Sequence, residues 1–365
     1  MDHPLAALGW TDWHSAHAPD GATGEAPARV TAVDRGRYVV RDADGESPAE
    51  LAGRMLHRAT SPADLPCVGD WVAARRADGT IRIHGVLPRR TFLRRKVPGN
   101  DIDVQMIAAN VDLALVIQSC HFDFNVRRLE RYLATVHEGS VESVVLLTKT
   151  DLVSESELAG LLAAARRADA ATPVIPLSNL TGAGLDDVRA LLTPGRTVCL
   201  LGSSGVGKST LINRLVDGTG SGVPTLPTLE VSRTGEGRHT TRRRQLFVLD
   251  GGALVVDTPG MRELGLLDAA DGLDDTFSDV AELARRCRFA DCRHGSEPGC
   301  AVRAAVEQGD LDDARFRSYV KLRREESFHT MSYVERRRKD REFGRQTRAV
   351  ASRVRRDPRD TRNPR

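Results

Sequence analysis

The sequence predicts a multidomain α/β protein. It places an N-terminal OB-fold β-barrel first, a central P-loop domain with helices on both faces of a parallel sheet next, and a C-terminal helical zinc-binding domain last. Three observations carry this. Residues 29–98 hold short alternating runs broken by turns, which suits a small barrel. Residues 104–267 alternate apolar runs of strand length with segments of helical period, which builds a mostly parallel sheet. Cys287, Cys292, His294 and Cys300 follow a C-x4-C-x-H-x5-C spacing that can close around one metal ion.

Composition sets the frame. A chain of 365 residues can form two or three domains with separate cores. With 40% hydrophobic and 28% charged residues it reads as globular, and a net charge of +3 does not by itself demand a nucleic-acid partner. No apolar run reaches the length of a membrane span, and the start Met1-Asp2-His3-Pro4-Leu5 lacks the features of a secretory signal. A cytoplasmic, monomeric chain with no membrane partner is expected. Cys67, Cys120 and Cys199 sit alone in apolar surroundings and are expected to be buried.

Residues 1–28 read as an arm that ends in an Ala/Pro/Gly/Asp-rich linker, with Trp10 and Trp13 expected to pack on the barrel. In the barrel, residues 30–33, 37–41, 70–74 and 80–84 are strand-like. Asp34-Arg35-Gly36-Arg37 and Ala77-Asp78-Gly79-Thr80 read as hairpin turns. The segment Arg89-Arg90-Thr91-Phe92-Leu93-Arg94-Arg95-Lys96 is basic around an aromatic, so it is open to two readings: an RNA contact or a solvated edge strand.

The central region begins with a buried-strand pattern at 111–117, a helix at 125–138 and a strand at 143–147. A helix over 155–167 and a strand over 173–178 come next. After the apolar run 197–201 comes Gly202-Ser203-Ser204-Gly205-Val206-Gly207-Lys208-Ser209-Thr210, and then the start of a helix. Strand, glycine-rich loop and helix are the context a phosphate-binding loop needs. Its glycines let successive N–H groups face an anion, and the helix start adds free donors and a positive dipole end. Lys208 would reach the β- and γ-phosphates and Ser209 would ligate Mg²⁺.

Thr148-Lys149-Thr150-Asp151 looks like the guanine-recognition motif of GTPases, usually Asn-Lys-x-Asp. Asp151 would accept from the N1–H and 2-amino group of guanine, Lys149 would lie over the base, and Thr148 departs from the usual asparagine, which predicts weaker guanine affinity. Ser178 and the Asn179-Leu180-Thr181-Gly182 after it resemble the next motif, whose backbone touches the base. Asp257-Thr258-Pro259-Gly260 resembles the second switch, with Asp257 on Mg²⁺ through water and the Gly260 N–H on the γ-phosphate. Gly237-Arg238-His239-Thr240-Thr241 resembles the first switch, with Thr240 or Thr241 available to Mg²⁺. Base motifs therefore precede the phosphate loop, which is a circular permutation.

Met261 stands where many GTPases carry a water-orienting glutamine, so slow intrinsic hydrolysis is expected. His239 is the candidate catalytic residue, with a purely anchoring role as the other reading. The Cys₃His set favours one structural zinc ion. Helices are expected at 274–286, 301–308 and 313–328 of a domain spanning 268–344, and residues 345–365 form a basic tail expected to be disordered. The arginines of the last helix and tail suit a phosphate-backbone partner or a solvated face.

In this order the barrel, permuted GTPase motifs and zinc module resemble the small-ribosomal-subunit-dependent GTPase family, RsgA (YjeQ), over residues 29–330. The resemblance implies a factor in late maturation of the 30S subunit that contacts 16S rRNA. Its GTP hydrolysis would be stimulated by the subunit and coupled to release. Arg242 departs from the family where a third threonine is common. A nucleotide-locked rRNA-binding module in which hydrolysis is incidental is the alternative reading.

Overall fold

The computed structural model of the chain describes residues 3–18, 24–34, 36–77, 80–96, 104–216, 244–257 and 270–330. The N-terminal segment forms a short helical turn at Ala6–Leu8 and helix α1 (Asp12–Ala16). Trp10 is buried and meets the Trp71 ring edge-on, 4.6 Å between centroids, so the first residues pack onto the barrel.

The barrel is built from β1 (Ala26–Asp34), β2 (Arg37–Asp42) and β3 (Gly45–Leu51), then helix α2 (Gly53–Arg58), then β4 (Trp71–Ala77) and β5 (Thr80–Val86). It closes in the order β1-β2-β3-β5-β4-β1, with β3 and β5 parallel and the other neighbours antiparallel. Alternate residues such as Val30, Val40, Val72, Ile81 and Ile83 fill the interior. Strand β3 and helix α2 carry no clear signal in the sequence. Gly45-Glu46-Ser47-Pro48-Ala49-Glu50-Leu51 has weak strand propensity, and its pairing with β2 and β5 holds it extended.

Strands β6 (Phe92–Lys96) and β7 (Val104–Ala109) form a separate antiparallel ribbon. The basic segment here fits neither of its two readings in full. Arg89 forms a two-pronged pair with the buried Asp70 (Nε–Oδ1 2.8 Å, Nη2–Oδ2 2.8 Å) and donates to the carbonyls of Ala63 and Leu65. Arg90 pairs with Asp112, and Arg94 pairs with Glu138 at 2.5 Å. Arg89 thus braces the barrel internally, while Arg90 and Arg94 join this region to the central domain.

The central sheet takes β8 (Leu113–Ser119), α3 (Val126–Glu138), β9 (Glu142–Thr148), α4 (Glu155–Ala168) and β10 (Val174–Pro176) in order. It continues through α5 (Leu185–Ala190), β11 (Thr197–Leu201), α6 (Lys208–Val216), β12 (Arg244–Val248) and β13 (Leu254–Asp257). Asn125 caps α3 by accepting from Arg128 N, and Ser154 and Glu157 form a capping box on α4. Strands β10, β9, β8, β11 and β13 are parallel, and β12 pairs antiparallel with β13 as the expected hairpin. Along β8, Ala114 and Val116 face one core with α3 and α4, while Leu113, Leu115 and Ile117 face the other with α5 and α6. The far edge, β12, pairs with β1 (Ala32 opposite Gln245), so the barrel continues the sheet.

Arg29 holds this junction. Its fully buried guanidinium donates to Gly69 O (3.3 Å), Asn110 O (3.0 Å) and Thr197 Oγ1 (2.9 Å), and also to Leu8 O. One side chain thus ties the N-terminal segment, the barrel and the strand that leads to the phosphate loop.

The C-terminal helices are α7 (Ala270–Thr276), α8 (Ser278–Ala284), α9 (Ala301–Gln308) and α10 (Asp313–Thr330). The single helix expected at 274–286 breaks at Phe277. There Thr276 Oγ1 bonds back to Gly272 O (2.8 Å), and the Phe277 ring turns inward beneath Arg315. Arg315 on α10 reaches Asp279, Glu130, Ala168 O and Thr276 O, which fastens this unit to α3 and α4. Arg323 likewise pairs with Asp274, whereas Arg317 makes only an exposed pair with Asp313 on its own helix, so part of the cationic character read on this helix ties elements together and part stays at the surface. The arginines beyond residue 330, including those of 345–365, lie outside the described residues.

Candidate nucleotide-binding and metal sites

The parallel register brings the C-terminal ends of β8, β9, β11 and β13 to one edge of the sheet, where ligands of open α/β sheets bind. Thr148 ends β9, Leu201 precedes the phosphate loop and Asp257 ends β13. Residues far apart in the chain, and in permuted order, thus meet at one site.

The phosphate loop runs from Gly202 to the start of α6 at Lys208, with Ser209 and Thr210 in the first helical turn. Gly202 and Gly207 have φ of 155° and 98°. A Cβ on Gly202 would come within 2.4 Å of Ile117 O, and one on Gly207 within 2.9 Å of Asn179 Nδ2. Only glycine fits that approach. Val206 is buried, while Ser203, Ser204 and Gly205 are half-buried at the rim. Lys208 Nζ donates to the carbonyls of Gly202 (2.7 Å) and Ser203 (2.5 Å). Burial pushes its pKa down to about 8, against the raising fields of Asp257 and Asp123. Asp257 is buried nearby, and burial raises its carboxyl above the usual carboxylate range while Lys208 pulls it back.

The Thr148-Lys149-Thr150-Asp151 turn is locked to that loop. Thr148 is fully buried, and its Oγ1 lies 2.6 Å from Val206 O and 3.2 Å from Gln118 O. The threonine is a strut between the two loops, a role its chemistry alone did not announce. Lys149 takes a left-handed conformation (φ 60°), and Thr150 and Asp151 continue into a short helical turn. Ser178 is buried and donates its hydroxyl to Asp151 Oδ1 (2.5 Å), while accepting from the N–H groups of Leu180 and Thr181. This fixes the carboxylate at the sheet edge. Two side-chain contacts carry no signal in the sequence, although Asn179 itself belongs to the motif read there. Asn179 Nδ2 donates to Gly207 O (3.2 Å), and Arg214 of α6 donates to the carbonyls of Asn179 and Leu180. Nothing local marks such long-range bonds.

His239, Thr240, Thr241, Gly260 and Met261 lie outside the described residues.

The four zinc candidates converge. Cys287 Sγ lies 3.6 Å from His294 Nδ1 and 3.9 Å from Cys300 Sγ, and Cys300 Sγ lies 3.5 Å from His294 Nδ1. With Cys292 all four ligand atoms fall within 4.8 Å of one another. A tetrahedron with typical zinc–sulfur bonds has edges of about 3.8 Å, so the donor set fits zinc. Cys287 and Cys292 flank the loop, His294 adopts φ 57° to turn inward, and Cys300 caps α9 by accepting from Arg303 N. Cys67, Cys120 and Cys199 are all buried and lie outside this cluster.

Comparison with known proteins agrees with this arrangement. The model of the RsgA GTPase family matches residues 86–267. A small ribosomal subunit biogenesis GTPase RsgA from Opitutus terrae is 43% identical over 89% of this chain and 90% of its own length. One from Streptomyces coelicolor is 43% identical over 88% and 86%. Among solved structures, YjeQ from Thermotoga maritima superposes with a TM-score of 0.60 at 25% identity, covering 82% of this chain and 97% of that one. YloQ, described as a circularly permuted GTPase, gives 0.57 at 23% identity, over 87% of this chain and 100% of that one. With the permuted order of loops on one sheet edge and relatives this similar over most of the sequence, the chain belongs to the RsgA GTPase family.

Proposed function

We propose that this chain binds and hydrolyses GTP on the small ribosomal subunit during its late maturation, with hydrolysis stimulated by the subunit and coupled to release. The observation that carries the nucleotide reading is the stitched pair of loops, with Asp151 held by Ser178 and Thr148 bonded to the phosphate loop. A carboxylate fixed at that edge selects guanine, whose N1–H and 2-amino group are both donors, over adenine.

The roles come from chemistry. Residues 202–210 would cradle the phosphates through backbone N–H groups, with the Lys208 ammonium turning from its own loop carbonyls to the phosphate oxygens. Lys149 and Thr150 would border the base. Ser209 and Asp257, with Thr240 or Thr241, would hold Mg²⁺, which supplies neutralisation of phosphate charge when bound. The Gly260 N–H would meet the γ-phosphate. Because Met261 cannot orient water, His239 is assigned that task from the sequence. One zinc ion held by Cys287, Cys292, His294 and Cys300 would be structural, since four protein donors close the coordination shell.

The relatives named for small-subunit biogenesis support the 30S subunit as a partner, and its 16S rRNA is the phosphate-backbone partner that the arginine-rich C-terminal region suits. The chain would act as a cytoplasmic monomer, and no described helix is long and apolar enough to cross a membrane. The 268–344 region and the arginines beyond it would face the rRNA. Turnover of GTP alone and with saturating 30S subunits tests the proposal. Large stimulation is the expected result. Tight subunit binding without stimulation would instead favour the clamp in which hydrolysis is incidental.

A further inference from the structure

We propose that Asn179 and Arg214 are positioning residues for guanine, coupling the base-contacting turn to the phosphate-loop helix so that the Asn179 N–H stays aimed at O6 of the base. This rests on the guanine-nucleotide reading above.

A donor census of the turn singles out that N–H. Ser178 N donates to Ala183 O, Gly182 N to Ser178 O, and Ala183 N to Thr181 Oγ1. The N–H groups of Leu180 and Thr181 both go to Ser178 Oγ. The Asn179 N–H has no partner among the described residues. It lies beside Ser178, whose hydroxyl holds the Asp151 carboxylate. Asp151 meets the two donors of guanine, so the remaining recognisable group on that edge is the acceptor O6, which needs a donor. Adenine has an amino group there and would face N–H against N–H.

What fixes the direction of that N–H is a clamp onto α6 at two points. At its start, Asn179 Nδ2 bonds Gly207 O at 3.2 Å. Further along the same helix, Arg214 Nε bonds Asn179 O at 2.9 Å and its Nη2 bonds Leu180 O at 3.1 Å. The Asn179 Oδ1 atom is buried without a partner among the described residues. Natural proteins seldom keep such an orphaned acceptor, and here it accompanies an amide held against the phosphate loop. Thr148 does not share the task, because its one hydroxyl proton is committed to Val206 O. Base and phosphate subsites are therefore joined by hydrogen bonds, and the fit at O6 depends on both ends of the clamp.

The test compares GDP, 6-thio-GDP (a weaker acceptor at the O6 position) and IDP (which lacks the 2-amino group) on the full-length protein and on Arg214→Met, Arg214→Lys and Asn179→Ser. Wild type is expected to prefer GDP over both analogues. In Arg214→Met, GDP affinity should fall about tenfold, the size of one well-placed hydrogen bond. The GDP to 6-thio-GDP ratio should shrink with it, and the GDP to IDP ratio, which reports Asp151, should stay. Arg214→Lys, able to reach one carbonyl, should recover part of the loss, and Asn179→Ser, which shortens the other arm, should repeat the pattern of Arg214→Met. Equal losses for all three nucleotides, or no loss, would overturn the proposal. A wild-type protein that did not discriminate GDP from IDP or ADP would instead sink the guanine reading beneath it.

Discussion

The hydroxyl of Thr148 donates to the carbonyl of Val206 across 2.6 Å, so the turn at the end of β9 and the glycine-rich loop before α6 share a hydrogen bond. The two residues are brought together by parallel strands β9, β8 and β11, in a chain where the base motif comes first. The missing asparagine predicts weaker guanine affinity, and the strut offers a separate reason for threonine at this position.

Replacing Thr148 by valine keeps the shape and removes the donor. The hydroxyl's single proton goes to Val206 O, the nearer of the two carbonyls in reach, so that buried acceptor would lose its donor. The expected cost is about 1–3 kcal/mol of stability, with a parallel loss of GDP affinity, since both loops are loosened. Thr148→Ser should retain both. Thermal melts with and without GDP check this, and a valine variant with unchanged Tm and Kd would remove the strut from the account.

Lys208 gives a pH prediction. Its pKa is lowered by burial to about 8 from the ordinary value near 10.5. Between those values the unfolded chain carries a proton that the folded chain does not, so the nucleotide-free fold loses stability as pH falls from about 10.5 to about 8, where the burial penalty on the ammonium grows. Below about pH 8 the ammonium is present in both states and the penalty is constant. Phosphates would favour the ammonium, so nucleotide binding above that pH should take up a proton and weaken as pH climbs. Calorimetry of GDP binding at pH 8.5 in two buffers of different ionisation enthalpy should show uptake, and the same pair of buffers at pH 6.5 should show almost none. Lys208→Met should abolish the difference.

Arg89 separates folding from RNA binding. Its two-pronged pair with the fully buried Asp70 is reinforced by two carbonyls. Removing the guanidinium leaves a buried carboxylate uncompensated, a loss of about 3–5 kcal/mol. Arg89→Ala should therefore lower Tm sharply. A variant with normal Tm but weakened 30S binding would restore this residue to the RNA surface.

What was legible in the sequence was local. The doubly buried strand β8 shows as the apolar run from Leu113 to Ile117, helix α3 shows its period and its Asn125 cap, and the four zinc candidates sit in one short segment. What was not legible depends on distant partners. Strand β3 is extended because β5 pairs with it, the β1–β12 joint links the barrel to the edge of the central sheet, and Arg29 finds its acceptors in four separate segments. Basic residues such as Arg89 and Arg315 looked free because charge in a sequence does not reveal a carboxylate folded against it.

The metal cluster supplies the last prediction. Cys287, Cys292, His294 and Cys300 hold the loop between α8 and α9, and the small core beside them relies on Phe277, Val302, Tyr319 and Leu322. A core this small would gain much of its stability from a zinc ion at this cluster, since structural zinc contributes about 10 kcal/mol or more of binding free energy in zinc-finger peptides. Protein purified under reducing conditions should carry one zinc per chain by elemental analysis. Cys300→Ser removes a ligand and the acceptor of the Arg303 N–H together. It should lose the metal and leave the amides of α9 and α10 open to hydrogen exchange, while GDP binding at the sheet edge persists. Full amide protection in a metal-free variant would show that the helices hold themselves, and that the cluster is not what organises this unit.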